Sequence, residues 1–239
     1  KKNVTNFYTL NRKNLKDLYQ SEKYLLSKIK KNNIKKILDF GCAIGNFKHI
    51  FKKLYGPHYY LGVDADKKMI QIAKKKNFKN KKKEKFLIKS NLKNIRGEYD
   101  LVFSTGVLNH IKNYKNIINQ MLKVSNKYVF FDAPRVTFKK PFTAIMNLSK
   151  RFEIKDKKNE VNYYIENLNF FLDFVNRCYK KNKFNIHIFI NELPYSKKYL
   201  NVKSKIFYCT VLITRSNQRF IKIKTENEKL LKIINDKLK

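Results

Sequence analysis

Acidic residues, glycine, proline, cysteine and tryptophan are all scarce in this 239-residue chain, and each shortage narrows what it can be. Only 18 Asp+Glu stand against 55 Lys+Arg, a formal net charge of +37 that first suggests a polyanion partner. Arginine, the better bidentate reader of phosphate and base edges, is nevertheless confined to Arg12, Arg96, Arg135, Arg151, Arg177, Arg215 and Arg219. That weakens a nucleic-acid reading. Plentiful Asn, Ile, Phe and Tyr beside 6 Gly, 4 Pro and no Trp is the pattern expected of an A+T-rich coding sequence, so codon bias accounts for the lysines as well as function does. Runs such as Lys74-Lys75-Lys76 and Lys81-Lys82-Lys83 read as solvated faces.

The three cysteines, Cys42, Cys178 and Cys209, are odd in number and far apart, with no metal-ligand spacing. A reducing, cytoplasmic setting without a metal is expected. No apolar run approaches the roughly 18 residues of a membrane span, and residues 1–10 lack the apolar core of a signal peptide. The first residue is Lys1 rather than Met, which suggests a trimmed start. With 43% hydrophobic residues the chain can bury one complete core, which excludes wholesale disorder.

Along the chain, apolar spacing over 13–31 predicts an amphipathic helix. Short apolar runs at 34–40, 59–63, 85–88, 99–104 and 127–132 then read as strands, with helices between them near 46–55, 67–76 and 113–124. Such alternation argues for an α/β fold, a doubly wound, mostly parallel sheet of seven strands with helices on both faces. Ligands of these sheets bind beyond the carboxyl ends of the strands. After Pro134 the rhythm breaks, and a segment at 138–150 with an apolar-periodic stretch at 161–179 reads as an inserted helical cover. Strands at 185–190 and 206–214 are joined closely enough to pair antiparallel at the sheet edge. Thr225-x-x-Glu228 matches a capping box before a last amphipathic helix. The expected divisions are a helical cover at 1–33, a core at 34–134, a substrate cover at 135–184, the last two sheet strands at 185–215 and a helix at 216–239.

The segment Ile37-Leu38-Asp39-Phe40-Gly41-Cys42-Ala43-Ile44-Gly45-Asn46 is a strand running into a tight turn and a helix, with glycines where backbone must approach a ligand. Ala43 and Asn46 break the dinucleotide pattern Gly-x-Gly-x-x-Gly, and no Gly-Lys-Ser/Thr of a P-loop follows. Next come Tyr60-Leu61-Gly62-Val63-Asp64, Ile88-Lys89-Ser90-Asn91-Leu92 and Tyr99-Asp100-Leu101-Val102-Phe103-Ser104-Thr105-Gly106-Val107-Leu108-Asn109-His110-Ile111. In this order, over about 34–134, these segments resemble the landmarks of class I S-adenosylmethionine-dependent methyltransferases of the small-molecule, Rossmann-like type. Asn91 is a departure, since the family usually has Asp there.

The resemblance implies S-adenosylmethionine as cofactor. Asp39 would orient its amino-acid end, Gly41 and Gly45 would admit its backbone, Asp64 would hold the ribose, Met69, Asn91 and Leu92 would meet the adenine and Thr105 the methionine part, with Cys42 and Ala65 also among the cofactor-binding residues. For Asp39 and Asp64 helix capping or solvation is the plain alternative, and for Met69 ordinary core. His110, just past a strand end, is the candidate general base, though such a histidine is as often a packing residue. Asp132 and Arg135 could meet the acceptor or form a surface ion pair. Tyr163, Tyr164, Phe170, Phe171 and Phe174 could wall a pocket or be core, and His58 and His187 read as structural or exposed.

The chain has neither an Asn/Asp-Pro-Pro-Tyr/Phe for base amino groups nor a Pro-Cys nucleophile after the fourth strand, and the ribose-methylating tetrad does not fit. A small-molecule or sugar-like acceptor, methylated at oxygen in preference to nitrogen or carbon, is therefore expected. An RNA methyltransferase using the lysine surface is the competing enzyme, and a partner-binding module on a degenerate fold the non-catalytic alternative. A homodimer is compatible with the sequence.

Overall fold

The structure is a computed structural model and describes residues 12–76, 83–147, 160–181, 184–192, 201–202, 204–216 and 220–238. Two compact units divide the described residues, the first within 12–107 and 116–131, the second within 108–115 and 132–238.

In the first unit, strands β1 (Lys36–Phe40), β2 (Tyr59–Asp64), β3 (Glu84–Ile88), β4 (Tyr99–Ser104) and β5 (Ser125–Asp132) lie in the order β3-β2-β1-β4-β5, every pairing parallel. All five sit where the apolar runs predict them. Helix α2 (Phe47–Tyr55) connects β1 to β2 and α3 (Lys67–Lys76) connects β2 to β3, while α4 (Tyr114–Val124) precedes β5. Strand order advances one way through β1, β2 and β3 and the other way through β4 and β5. Right-handed crossovers therefore put α2 and α3 on one face and α4 on the opposite face, with a switch point between β1 and β4. Phe103 anchors the core, its ring 4.9 Å from both Phe51 and Phe130 and 4.6 Å from Phe47.

The expected helix over 13–31 is broken. A 3-10 turn at Leu15–Asp17 stops at Leu18, which is extended, and α1 spans only Gln20–Leu26 before a second 3-10 turn at Lys31–Asn33. Local polar bonds win over the apolar period. The Asp17 carboxylate accepts the N–H groups of Lys13 and Asn14, and Glu22 accepts that of Tyr19 while pairing with Arg12.

The second unit corrects the reading of an inserted helical cover. Strands β6 (Arg135–Thr137), β7 (Phe142–Asn147) and β8 (Glu160–Asn167) occupy most of that segment, and helix α5 begins only at Leu168, running to Lys181. Period-two burial overrides the helical pattern, since Tyr163, Ile165 and Asn167 point inward between more exposed neighbours. Tyr163 and Ile165 pack with Ala144, Met146, Val202 and Ile206. Residues 148–150 of the expected segment lie outside the described residues. Strands β9 (Phe184–Glu192) and β10 (Phe207–Arg215) pair antiparallel as expected, and the order is β11-β9-β10-β6-β8-β7. β11 (Phe220–Lys224) is an extra strand where only a helix was expected. The α/β class with a mostly parallel core sheet stands, but eleven strands replace the expected seven among the described residues.

Helix α6 (Glu228–Leu238) ends the chain as predicted, but its cap is Asn227 rather than Thr225. The Asn227 side-chain oxygen Oδ1 accepts the Leu230 N–H, and the Thr225 hydroxyl oxygen accepts the Asn227 N–H. No helix among the described residues is long and apolar enough to cross a membrane. Cys42, Cys178 and Cys209 are buried thiols.

Candidate active site

The carboxyl ends of the first unit's strands bring the glycine turn and Asp64 together. The turn folds back on β2, with the Gly41 and Cys42 N–H groups both donating to the Val63 carbonyl at 2.7 and 3.1 Å. The Ala43 N–H donates to Asp64 Oδ2 at 2.8 Å, and Asp66 N–H to Oδ1 at 2.9 Å. Gly41 has φ +79°, and a Cβ there would lie 2.0 Å from Val107 Cγ2, so glycine is required twice over. Ala43 also has positive φ, at 46°. Gly45 closes the turn, its N–H donating to the Cys42 carbonyl.

Asp39 is buried beneath this turn and accepts the Tyr60 hydroxyl at 2.5 Å. Burial raises its pKa to about 7, with the Asp64 charge adding to the rise and the Tyr60 hydrogen bond opposing it. The acid is neither a cap nor a solvated loop residue. Burial likewise pushes the Cys42 thiol up, Asp39 and Asp64 assisting.

Ala65 is exposed and Met69 buried in the first turn of α3. Asp66, which sequence reasoning passed over, caps that helix by accepting the N–H groups of Lys68 and Met69; an Asp three residues before an apolar helical position was the available signal. Asn91 turns its side-chain oxygen onto the Lys93 N–H at 3.1 Å, and Leu92 is buried with its N–H donating to Gln120 Oε1 at 2.8 Å. Thr105 is half-buried. Beside it the Ser104 hydroxyl is fully buried and has no hydrogen-bond partner among the described residues.

The second unit gathers the other three candidates. His110 is exposed on a 3-10 turn, its Nδ1 3.0 Å from the Asn162 carbonyl and its ring edge-on to Tyr163 at 5.5 Å. A carbonyl only accepts, so Nδ1 carries the hydrogen, and in the neutral form of the ring the basic lone pair is on Nε2. The Arg135 guanidinium lies 4.4 Å over the Tyr208 ring and 5.9 Å over that of Tyr163. Tyr208 donates its hydroxyl to Asp132 Oδ1 at 2.8 Å, and Thr210 does so at 3.1 Å. Asp132 and Arg135 are both buried, which excludes the surface ion pair. Tyr208 and Thr210 were missed because they lie more than 70 positions from Asp132 and carry no local motif.

Of the five aromatics, Tyr163, Phe171 and Phe174 are buried, Tyr164 is half-buried and Phe170 is exposed. His58 is half-buried, its Nδ1 2.8 Å from the Gly56 carbonyl, and His187 lies against the Phe220 ring at 5.2 Å. Among the described residues no cluster of His, Cys, Asp and Glu could hold a metal ion.

The model of a family described as a methyltransferase domain matches residues 11–171, about two thirds of the chain. The chain belongs to this methyltransferase family. It is an S-adenosylmethionine-dependent enzyme of class I, as the ordered landmarks imply. Solved structures share the fold. An O-methyltransferase from a trans-AT polyketide synthase multienzyme of Brevibacillus brevis, bound to S-adenosyl-L-homocysteine, is 15% identical with a TM-score of 0.58, covering 91% of this chain and 83% of its own. An S-adenosylmethionine-dependent methyltransferase of Clostridium acetobutylicum is 15% identical with a TM-score of 0.57, covering 89% and 98%. The magnesium protoporphyrin IX methyltransferase of Synechocystis, bound to S-adenosylmethionine, is 14% identical with a TM-score of 0.50, covering 81% and 76%. No curated protein matches the chain.

Proposed function

We propose that this methyltransferase transfers its methyl group to a hydroxyl of a small-molecule or sugar-like acceptor. The cofactor residues would lie in the first unit. Asp64 accepts two backbone N–H groups and retains lone pairs for ribose hydroxyls, while the Ser104 hydroxyl, unpartnered among the described residues, and the carboxylate form of Asp39 suit the ammonium of the amino-acid end. The Gly41–Gly45 turn would admit the cofactor backbone, with Cys42 in its wall, Ala65 near the ribose and Thr105 beside the methionine part. Met69 and Leu92 would frame the adenine. Asn91, whose oxygen already serves the Lys93 N–H, would offer the adenine amino group a shared acceptor. S-adenosylmethionine supplies an electrophilic methyl group on a sulfonium.

One observation carries the reading of a hydroxyl acceptor. The hydrogen bond from His110 Nδ1 to the Asn162 carbonyl leaves a proton-accepting nitrogen at Nε2. His110 would take the proton of the acceptor hydroxyl as that oxygen is methylated. Arg135 and Asp132, braced by Tyr208, Tyr163 and Thr210, would orient the acceptor, and the buried side-chain oxygen of Asn109, which has no partner, could take one of its hydroxyl hydrogens.

The test is methyl transfer from labelled S-adenosylmethionine to a panel of hydroxylated metabolites, with His110→Gln beside the parent. Gln keeps a donor but cannot serve as a base. The expected result is a kcat lower by about 10²–10⁴ and loss of the rising limb of the pH–rate profile, with cofactor affinity unchanged. A variant within threefold of the parent would remove His110 as the base.

A further inference from the structure

A concavity of the first unit shares Ile44 with the Gly41–Gly45 turn but is otherwise lined by residues given no part in holding the cofactor. Lys13, Asn14, Ile44, Asn46, His49, Lys53 and Lys76 surround a pocket of about 310 Å³. Asn46, His49 and Lys53 are three and four positions apart and share one face of α2, and Lys76 ends α3. We infer that this pocket binds a phosphate-bearing ligand, held by Lys13, Lys53, Lys76 and His49.

Most lysines of a chain with net charge +37 are solvated, and several here have carboxylate partners. Lys48 pairs with Glu84, Lys127 with Asp100, Lys115 with Glu166 and Lys205 with Glu192. The pocket differs because three lysines and a histidine converge and none of its lining residues is acidic. Asp17 accepts the backbone N–H groups of Lys13 and Asn14, Glu84 pairs with Lys48, and Glu22 pairs with Arg12. Lys53 reaches only the neutral Asn14 side chain, at 3.4 Å.

The cations disturb one another. Burial, and then Lys13, lower the Lys76 pKa; burial, and then Lys48, lower that of His49, with Lys52 and Lys76 adding to the fall and Glu84 opposing it. An anion would relieve that repulsion. Three ammonium groups, an imidazole and two amides offer more donors than one carboxylate can use, whereas a phosphate group presents three or more acceptor oxygens. The volume is at the lower end for ligand sites and suits one or two phosphates.

The experiment titrates the full chain with sodium pyrophosphate at about 0.15 M salt, where long-range attraction to the general positive charge is screened. Calorimetry gives the stoichiometry, and the His49 ring resonance is followed in parallel. The double variant K53E/K76E is compared with K93E/K222E, which makes the same charge change at exposed positions outside the pocket. The inference expects one pyrophosphate per chain, a His49 pKa that rises on binding, and an affinity at least tenfold weaker in K53E/K76E but within twofold of the parent in K93E/K222E. Non-saturating binding, an unmoved His49, or equal losses in both doubles would overturn it. A short RNA identifies the source. RNA affinity lost only in K53E/K76E assigns the pocket to a nucleic-acid backbone, and RNA affinity falling equally in both doubles, with pyrophosphate still pocket-dependent, assigns it to a free phosphorylated metabolite.

Discussion

In the first unit, the polar groups at the strand ends are fixed largely by main chain. Asp64 is held by the N–H groups of Ala43 and Asp66, Leu92 presents its own N–H to Gln120, and the turn at Gly41 hangs from the Val63 carbonyl. In the second unit, side chains hold side chains. Tyr208 and Thr210 grip Asp132, and Arg135 lies over two tyrosine rings. A main-chain cradle needs glycines and acids at set offsets, so it leaves a trace in the sequence. A side-chain cluster assembled from separate strands needs only that they be adjacent in the sheet, and its members can lie anywhere in the chain.

The comparison is broken most severely by Gly41→Ala. The new Cβ would collide with Val107 and hold a non-glycine residue at positive φ, so stability should fall by about 2–5 kcal/mol, the sum of overpacking and left-handed backbone costs. Urea unfolding reads the loss. Val107→Ala in the same chain should recover part of it by removing the Cγ2 contact, but not the part that belongs to φ. Full recovery would mean that packing alone dictates the glycine.

How far each region is legible follows the same division. The five parallel strands, the Gly41 turn and the placement of Asp64 beside it were readable because strand, turn and helix succeed one another within a few dozen residues. Gly62 was quoted only as part of a landmark, yet a Cβ there would lie 2.8 Å from Cys42 Sγ and from Phe86, a close approach that a lone strand glycine can signal. The second unit misled the helical reading, since Phe170, Phe171, Phe174 and Val175 do belong to a helix while Val161 to Asn167 just before them form a strand. The periodicity changes there without a proline or glycine to mark it. Likewise α1 is shortened by Asp17 and Glu22, whose caps no apolar pattern reveals.

A smaller effect sharpens the contrast through Asp39, the one acid beneath the turn whose protonation is displaced. Its folded pKa is raised to about 7 against an ordinary 3.8, so between these values the native state holds a proton that the unfolded chain releases. Stability from this group is complete below about pH 4, declines as pH rises to about 7 and is then flat, a total of no more than about 4 kcal/mol. Asp39→Asn, which imitates the protonated acid, should remove that slope when the two proteins are unfolded in urea from pH 5 to 8. Binding of the cationic cofactor should favour the carboxylate, so calorimetry near pH 7 in buffers of different ionisation enthalpy should detect proton release from the parent and less from the variant. Parallel stability curves for the two proteins would place the Asp39 titration elsewhere.

The smallest change tests whether the second unit's cluster serves the acceptor alone. Tyr208→Phe removes one hydroxyl donor from Asp132 but keeps the ring under Arg135 and leaves Thr210 in place. The lost hydrogen bond to a buried carboxylate is worth about 1–2 kcal/mol, or roughly 5–30-fold in equilibrium. If Asp132 orients the acceptor, that factor should appear in the acceptor KM, with kcat little changed and S-adenosylmethionine affinity untouched. A merely structural role would instead lower the melting temperature while leaving KM in place. A weakened cofactor affinity would break the contrast itself, because a side-chain contact of the second unit would then govern a property assigned to the main-chain cradle of the first.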